Sequence, residues 1–254
     1  MLPPIFVIGS EQYEPERISY LKEYFNKEHI SNVTFFQPTY KHTLTKEEIQ
    51  KYVPYNWTQY GRQLRMGEIS LFLNFLYLFE HIVNTYEDGV FLIFESDVLF
   101  VDNVQEYVRD LLIQLNDVKY DCVSLGCGTN RYVRREGGSK EGKEGKDRTF
   151  TFLRKYDTQC TDSFLFTYKG ILSFYTFVQE FLEKGNSLNH PIDNFIDMFL
   201  KCTPDYMFYW VVPELNEQGS HTGVYSTNHR DDAQIYERPQ KPQSNVVTVH
   251  RFSE

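Results

Sequence analysis

Residues 91–100 form the run Phe91-Leu92-Ile93-Phe94-Glu95-Ser96-Asp97-Val98-Leu99-Phe100, in which four large apolar side chains lead directly into two carboxylates. Such a run predicts a strand that is buried on both faces, as in a parallel sheet. The packing of such a strand does not require acidic side chains, so Glu95 and Asp97 at its carboxyl end indicate a binding site. In open α/β sheets, ligands bind beyond the carboxyl ends of the strands. Acids also end strands as simple polar caps, and the pattern alone leaves that alternative open.

Two carboxylates at such a position suit a hard divalent cation, Mg²⁺ or Mn²⁺, because these ions prefer oxygen ligands. A bound cation can in turn hold a diphosphate that the acids alone would repel. The stretch therefore predicts a metal-assisted site for a phosphorylated ligand.

Strand and helix patterns alternate outward from this stretch, which predicts an α/β fold with a Rossmann-like, mostly parallel sheet and helices on both faces. The long helix before it has one apolar face, and Thr45 with Glu48 predicts a capping box for a shorter helix. The strands are predicted at Ile5–Ile8, Val33–Phe36, Cys122–Leu125, Ser163–Tyr168 and Met207–Val212; the helices are marked by Pro15, Ile69 to Val83, Val104 to Leu115, Phe174 to Phe181 and Pro191.

Composition places the chain among globular proteins and limits its partners. Its 254 residues are enough for one large domain. Of these residues, 41% are hydrophobic and 17% are aromatic, which is typical of a globular protein rather than a disordered one. A net charge of −9 argues against nucleic acid as a partner, since that binding needs surplus Lys and Arg. The four cysteines, Cys122, Cys127, Cys160 and Cys202, share no C-x-x-C spacing, so neither a zinc knuckle nor a redox pair is predicted.

The domain is predicted over residues 1–225, with a mobile surface loop at about 134–149 and a polar tail over 226–254. The loop serves either as a lid over a substrate or as a solvated insertion. Residues 1–8 carry no basic region and too short an apolar run for a signal peptide. No segment has the ~18 apolar residues of a membrane span, so we expect a cytoplasmic protein without one.

Four segments in a fixed order carry a resemblance that none carries alone. They are Arg65-Met66-Gly67-Glu68-Ile69, Phe94 to Val98, Pro191-Ile192-Asp193 and Pro213 to Ser220. Together they resemble glycosyltransferase family 25, which includes lipooligosaccharide galactosyltransferases and collagen hydroxylysine galactosyltransferases, and the likeness extends from about Phe6 to Ser226. The resemblance implies a GT-A fold, a UDP-sugar donor, a divalent metal, and transfer with inversion at the anomeric carbon.

The resemblance also implies roles for individual residues. Glu95 and Asp97 fall on the outer acids of the family's E-D-D motif, related to the D-x-D motif of nucleotide-sugar glycosyltransferases, and Ser96 replaces the middle acid. They are the predicted metal ligands, with His221 as the late histidine that closes the metal shell in related enzymes. Asn74 and Phe75 occupy the positions at which many family members have Ser-His. The resemblance therefore implies no role for Asn74.

The predicted catalytic base is Asp193, since it lies in the family's P-x-D segment at a helix start, where a carboxylate is expected to stay ionised. Structural alternatives remain open: Asp193 as a helix cap, Glu68 as a helix-dipole partner, Arg17 as helix surface and His221 as an ordinary surface residue. The residues predicted to contact the donor are Gly9, Arg17, Glu68, Ser96, Gly219 and Ser220.

These observations predict a metal-dependent, inverting glycosyltransferase that moves galactose or glucose from a UDP-sugar to a glycan or another hydroxyl-bearing acceptor. The rival interpretation is a catalytically silent relative that binds a glycan or nucleotide-sugar. Ser96 and the absent Ser-His pair are the features that keep this rival open.

Overall fold

The structure is a computed structural model that describes residues 2–53, 64–126, 149–158 and 160–225. Strands and helices alternate through its first half, as predicted. The strands are β1 (Ile5–Ile8), β2 (Val33–Phe35), β3 (Val90–Glu95), β4 (Val98–Phe100), β5 (Cys122–Ser124), β6 (Thr151–Arg154), β7 (Ser163–Thr167), β8 (Phe208–Val212) and β9 (Asn216–Gln218). The helices are α1 (Pro15–Lys27), α2 (Lys46–Tyr52), α3 (Met66–Thr85), α4 (Val104–Leu115), α5 (Tyr168–Glu183), α6 (Ile192–Cys202) and α7 (Gly219–Thr222).

In the described part of the chain, seven strands form one sheet in the order β2-β1-β3-β7-β5-β8-β6. Strands β1, β2, β3, β5 and β8 run in the same direction, whereas β6 and β7 run opposite to them. The mostly parallel α/β fold predicted from the sequence is therefore confirmed, and it is consistent with a Rossmann-like GT-A architecture.

Helices cover both faces of the sheet because successive strand residues point to opposite sides. In β1, Phe6 and Ile8 pack into a core with α3, α5 and α6, whereas Ile5 and Val7 pack into a second core with α1 and α4. Both cores are rich in aromatic rings, which accounts for the unusually aromatic composition. The predicted capping box is also present, because Glu48 N–H donates to Thr45 Oγ1 and Thr45 N–H donates to Glu48 Oε2.

The sheet creates a crevice at the carboxyl end of β1. This strand pairs in parallel with β2 on one side and β3 on the other, so the connections leaving it diverge. Ile8 at the end of β1 is paired with Glu95 at the end of β3. Crevices of this kind are the usual ligand sites of open α/β sheets.

Three pairings differ from a simple alternating α/β pattern. Strand β7 inserts antiparallel between β3 and β5, and β6 adds antiparallel to β8 at the edge. A separate two-stranded sheet joins β4 to β9, across more than a hundred residues of chain. Local periodicity contains no information on such distant partners, so these pairings were not predicted.

Helix α3 is the one helix in the described residues that is long and apolar enough to cross a membrane. A core helix passes the same test, and 61% of its most apolar stretch is buried within the protein. The presence of α3 is therefore only weak evidence for a membrane span. The predicted loop at 134–149 lies outside the described residues except for its last position, and the predicted tail at 226–254 lies wholly outside them.

Candidate active site

A cavity of about 430 Å³ opens at the carboxyl ends of β1 and β3. Its volume is in the range of small-molecule sites. Ile8 and Glu95 contribute the two strand ends, Glu68 the first turn of α3, and Asp193 the first turn of α6. Of the ten residues predicted for the site, seven line this cavity: Arg17, Glu68, Glu95, Ser96, Asp97, Asp193 and Ser220.

Glu95 and Asp97 flank the turn that joins β3 to β4. Glu95 accepts a hydrogen bond from Thr161 Oγ1, and its backbone N–H donates to the carbonyl of Asp162 at 2.8 Å. Burial, together with the negative charge of Asp97, raises the pKa of Glu95 well above its ordinary value. Ionisation of Glu95 beside Asp97 is therefore unfavourable unless a positive charge lies nearby.

Asp97 has an unsatisfied side-chain oxygen. The residue is only 4% exposed, and its Oδ1 atom has no hydrogen-bond partner in the described part of the chain. Its backbone oxygen accepts a 2.7 Å hydrogen bond from Gly219 N–H. Buried polar atoms are rarely left unpaired without a functional or structural reason. A cation bound by Glu95 and Asp97 would satisfy this oxygen and offset the repulsion between the two acids, so the pair fits a hard divalent ion.

A complete metal site is not preformed in the described residues, which contain no group of three or more His, Cys, Asp or Glu side chains arranged to hold an ion. The third predicted ligand, His221, lies in α7 beside the cavity residue Ser220. Its side chain falls outside what the structure describes. The role of His221 as a metal ligand therefore stays a prediction.

Arg17 is held at the cavity wall by two side chains. Its Nη1 atom donates to Glu14 Oε1 at 3.0 Å and to Ser96 Oγ at 3.4 Å, and Ser96 Oγ donates to Glu14 Oε2 at 3.0 Å. The guanidinium also lies over the ring of Tyr225, 5.2 Å from its centroid. Arg17 thus lies at the cavity wall, and its predicted contact with the donor stays a prediction.

Glu68 and Asp193 each have a local structural contact in addition to their place in the cavity. Glu68 Oε2 accepts from the backbone N–H of Arg65 at 2.8 Å, which stabilises the start of α3. Asp193 Oδ1 accepts from Asn194 N–H at 2.7 Å, one residue into α6. These contacts do not exclude a role in chemistry, so both assignments stay predictions.

The predicted glycines approach other chain segments closely, although neither lines the cavity. A Cβ atom on Gly9 would lie 2.6 Å from Ser96 Cβ, and one on Gly219 would lie 2.4 Å from the Tyr225 ring. Close packing is therefore sufficient to explain why these two positions are glycine. Their predicted contact with the donor stays a prediction.

The structure adds several residues that sequence reasoning did not place in the site, namely Glu14, Gln37, Tyr40, Lys41, Thr161 and Gln218. Thr39, which precedes Tyr40 and Lys41, is held by Asn74: Asn74 Oδ1 accepts from Thr39 N–H at 3.0 Å, and Asn74 Nδ2 donates to the Thr39 carbonyl at 3.0 Å. Asn74 thus anchors the loop after β2 to α3. In the sequence, the one indication of this role is that Asn74 is a polar residue within a hydrophobic helix face.

Asp162 is a further buried acid next to the site. It is 1% exposed, and Asn216 Nδ2 donates to its Oδ2 at 2.8 Å. Burial, followed by the charge of Asp97, raises the pKa of Asp162 to about 7. Since this pKa lies above the unfolded value of 3.8, the folded state holds the proton more tightly, and stability falls as the pH rises from about 4 through 7.

Replacing Asp162 by asparagine should remove this dependence, because an amide mimics the protonated acid and still accepts from Asn216. Relative to the wild type, the variant should gain on the order of 2 kcal/mol of stability between pH 5 and 8. Urea unfolding at several pH values with chelator present measures the gain. Asp205→Asn, at an exposed aspartate, is the control. Parallel pH profiles for wild type and Asp162→Asn would contradict the prediction.

Comparison with known protein families agrees with the resemblance seen in the sequence motifs. Residues 2–196 match the model of glycosyltransferase family 25, described as lipopolysaccharide (LPS) biosynthesis proteins. The match covers β1, the Glu95–Asp97 turn and the start of α6, and it ends before the Gln218–His221 segment. No curated protein matches the chain. Because the match extends over more than half of its length, the chain belongs to glycosyltransferase family 25.

Proposed function

We propose that this family 25 glycosyltransferase is a metal-dependent, inverting hexosyltransferase that uses UDP-galactose or UDP-glucose. The observation that carries the proposal is the buried, unpartnered Oδ1 of Asp97 beside Glu95, in a cavity lined by both acidic and basic groups. The family description favours a glycan of lipopolysaccharide type as acceptor. The cytoplasmic location expected from the sequence stays part of this proposal.

In the proposed site, Glu95 and Asp97 hold Mn²⁺ or Mg²⁺, and His221 is the candidate third ligand. When bound, the cation supplies positive charge against the diphosphate of the leaving UDP. Arg17 adds a guanidinium on the same cavity wall, and guanidinium groups bind phosphate oxygens in a forked geometry. Ser220 lines the same cavity, and the backbone N–H of Gly219 donates to the backbone oxygen of Asp97.

Asp193 is the proposed general base. It removes the proton from the acceptor hydroxyl, whose oxygen forms a bond to the anomeric carbon while the bond from that carbon to the UDP oxygen breaks. Attack from the face opposite UDP inverts the configuration at that carbon. Asp193 suits this task because it lines the cavity from α6, on a different element from the two proposed metal ligands.

Donor hydrolysis without acceptor tests this proposal. The purified protein is mixed with UDP-galactose or UDP-glucose and Mn²⁺, and UDP release is measured with and without chelator. Slow release that stops with chelator supports a metal-dependent transferase. Tight donor binding without release, also after a glycan acceptor array is added, would support the silent relative instead. The absence of donor binding would overturn the transferase and leave only a glycan-binding relative.

A further inference from the structure

Glu14 occupies the N-cap position of α1 but does not cap that helix. The usual N-cap side chain accepts a hydrogen bond from the first-turn backbone N–H groups, and glutamate is not among the preferred residues. Glu14 makes no such bond. Its two carboxylate oxygens instead accept from Arg17 and from Ser96. Helix capping therefore does not explain the carboxylate at this position.

The Glu14–Arg17 pair is shielded from water. Only 10% of the Glu14 side chain and 14% of the Arg17 side chain are exposed, whereas typical surface ion pairs are mostly solvated and contribute little. Removing one member of a shielded pair leaves the other charge without compensation. Ser96 and the ring of Tyr225 add contacts from two other chain segments, so the guanidinium is held from several directions.

The pair also places Arg17 in the same cavity as the proposed metal ligands. Arg17 and Asp97 line the same cavity, and Ser96 lies between Asp97 and Glu95 in the sequence. Nevertheless Asp97 Oδ1 has no hydrogen-bond partner in the described residues, whereas Arg17 donates to Glu14. Glu14 thus holds the arginine at the cavity wall, close to the oxygen of Asp97 that is without a donor in the described residues.

We propose that Glu14 is a positioning residue, which holds the Arg17 guanidinium in place to bind the diphosphate of the donor. The inference rests on the proposed UDP-sugar function. Glu14 itself need not touch the donor, because its effect passes through Arg17. Substitution of Glu14 should therefore weaken diphosphate binding only while Arg17 is present.

A double-mutant cycle tests this dependence. UDP binding in the presence of Mn²⁺ is measured by calorimetry for the wild type, Glu14→Ala, Arg17→Ala and the double variant. We expect Glu14→Ala to weaken UDP binding about tenfold when Arg17 is present and not to weaken it further once Arg17 is removed. Glu16→Ala, at an exposed acid in the same first turn, is the matched control and should bind UDP like the wild type.

A second variant moves the carboxylate instead of deleting it. Ser96 Oγ lies 3.4 Å from Arg17 Nη1, so Ser96→Asp in the Glu14→Ala background supplies a new partner for the arginine. We expect this double variant to recover most of the lost UDP affinity, and the recovery should disappear when Arg17 is also replaced by alanine. A residue that acted only on the α1 helix start would not be rescued from position 96, because that position lies on another element.

The outcomes separate the two levels of the proposal. Unchanged UDP affinity in Glu14→Ala, with or without a lower melting temperature, would overturn the positioning role alone. Additive effects of the Glu14 and Arg17 substitutions would also overturn the positioning role. So would a folded protein with both Glu14→Ala and Ser96→Asp that does not recover UDP affinity. A wild-type protein that does not bind UDP would instead overturn the proposed function, and the role of Glu14 with it.

Discussion

Replacing Asp97 by asparagine should lower UDP-sugar turnover about a thousandfold. The amide has nearly the same shape but lacks the charge that binds a hard cation. The fold should survive, because the backbone oxygen of Asp97, not its side chain, accepts from Gly219. Turnover of UDP-galactose or UDP-glucose at saturating Mn²⁺ measures the effect.

Two further measurements separate loss of the metal site from loss of the fold. The Mn²⁺ concentration for half-maximal activity should rise at least about tenfold in Asp97→Asn. The melting temperature without metal should stay the same or rise, because the charge of Asp97 opposes ionisation of both Glu95 and Asp162. Asp205→Asn, outside the cavity, is the control. Near-native turnover by Asp97→Asn would remove this turn from the proposed metal site.

The second large effect is expected for Asp193→Asn, which should lower turnover roughly 100- to 10,000-fold, the range typical of a lost general base. Affinity for UDP-sugar and Mn²⁺ should remain, because Asp193 contributes to neither proposed interaction. The amide oxygen still accepts from Asn194 N–H, so the start of α6 should keep its local contact. Turnover, donor affinity and melting temperature are measured on the same preparation.

Asp197→Asn provides a matched control for this substitution. It changes the same residue type one turn further along α6, where the side chain accepts from Thr158 N–H at 2.5 Å and does not line the cavity. Asp197→Asn should retain turnover. If Asp193→Asn kept normal turnover per folded molecule, Asp193 would have no part in the mechanism, whereas loss of Mn²⁺ affinity would assign it to the metal site instead.

Local features of the fold could be predicted because their causes lie within a few residues of one another. The capping box of Thr45 and Glu48 needs only a spacing of three, and the buried face of α3 follows from apolar residues at intervals of three and four. The run before Glu95 likewise has enough apolar side chains to be a central strand in any α/β protein. These elements appear in the structure close to their predicted bounds.

The location of the site was also predictable, although its full membership was not. Acids at the end of a central strand, with Asp193 at the start of a later helix, were sufficient to indicate where a ligand binds. Glu14 was missed, because its partner Ser96 lies 82 residues away and no local pattern links the two. Asp162 could not be placed beside the proposed metal ligands from the sequence, since its burial depends on how β7 enters the sheet.

The sequence by itself determined which segments form strands and helices, which faces are apolar, and which acids follow the central strand. Only the tertiary structure decided that β7 runs antiparallel beside β3, that β9 pairs with β4, and that Ser96 contacts both Glu14 and Arg17. The physical reason is the range of the interactions. Helix caps and side-chain periodicity act over one or two turns, whereas strand partners and buried ion pairs depend on which distant segments the whole core brings together.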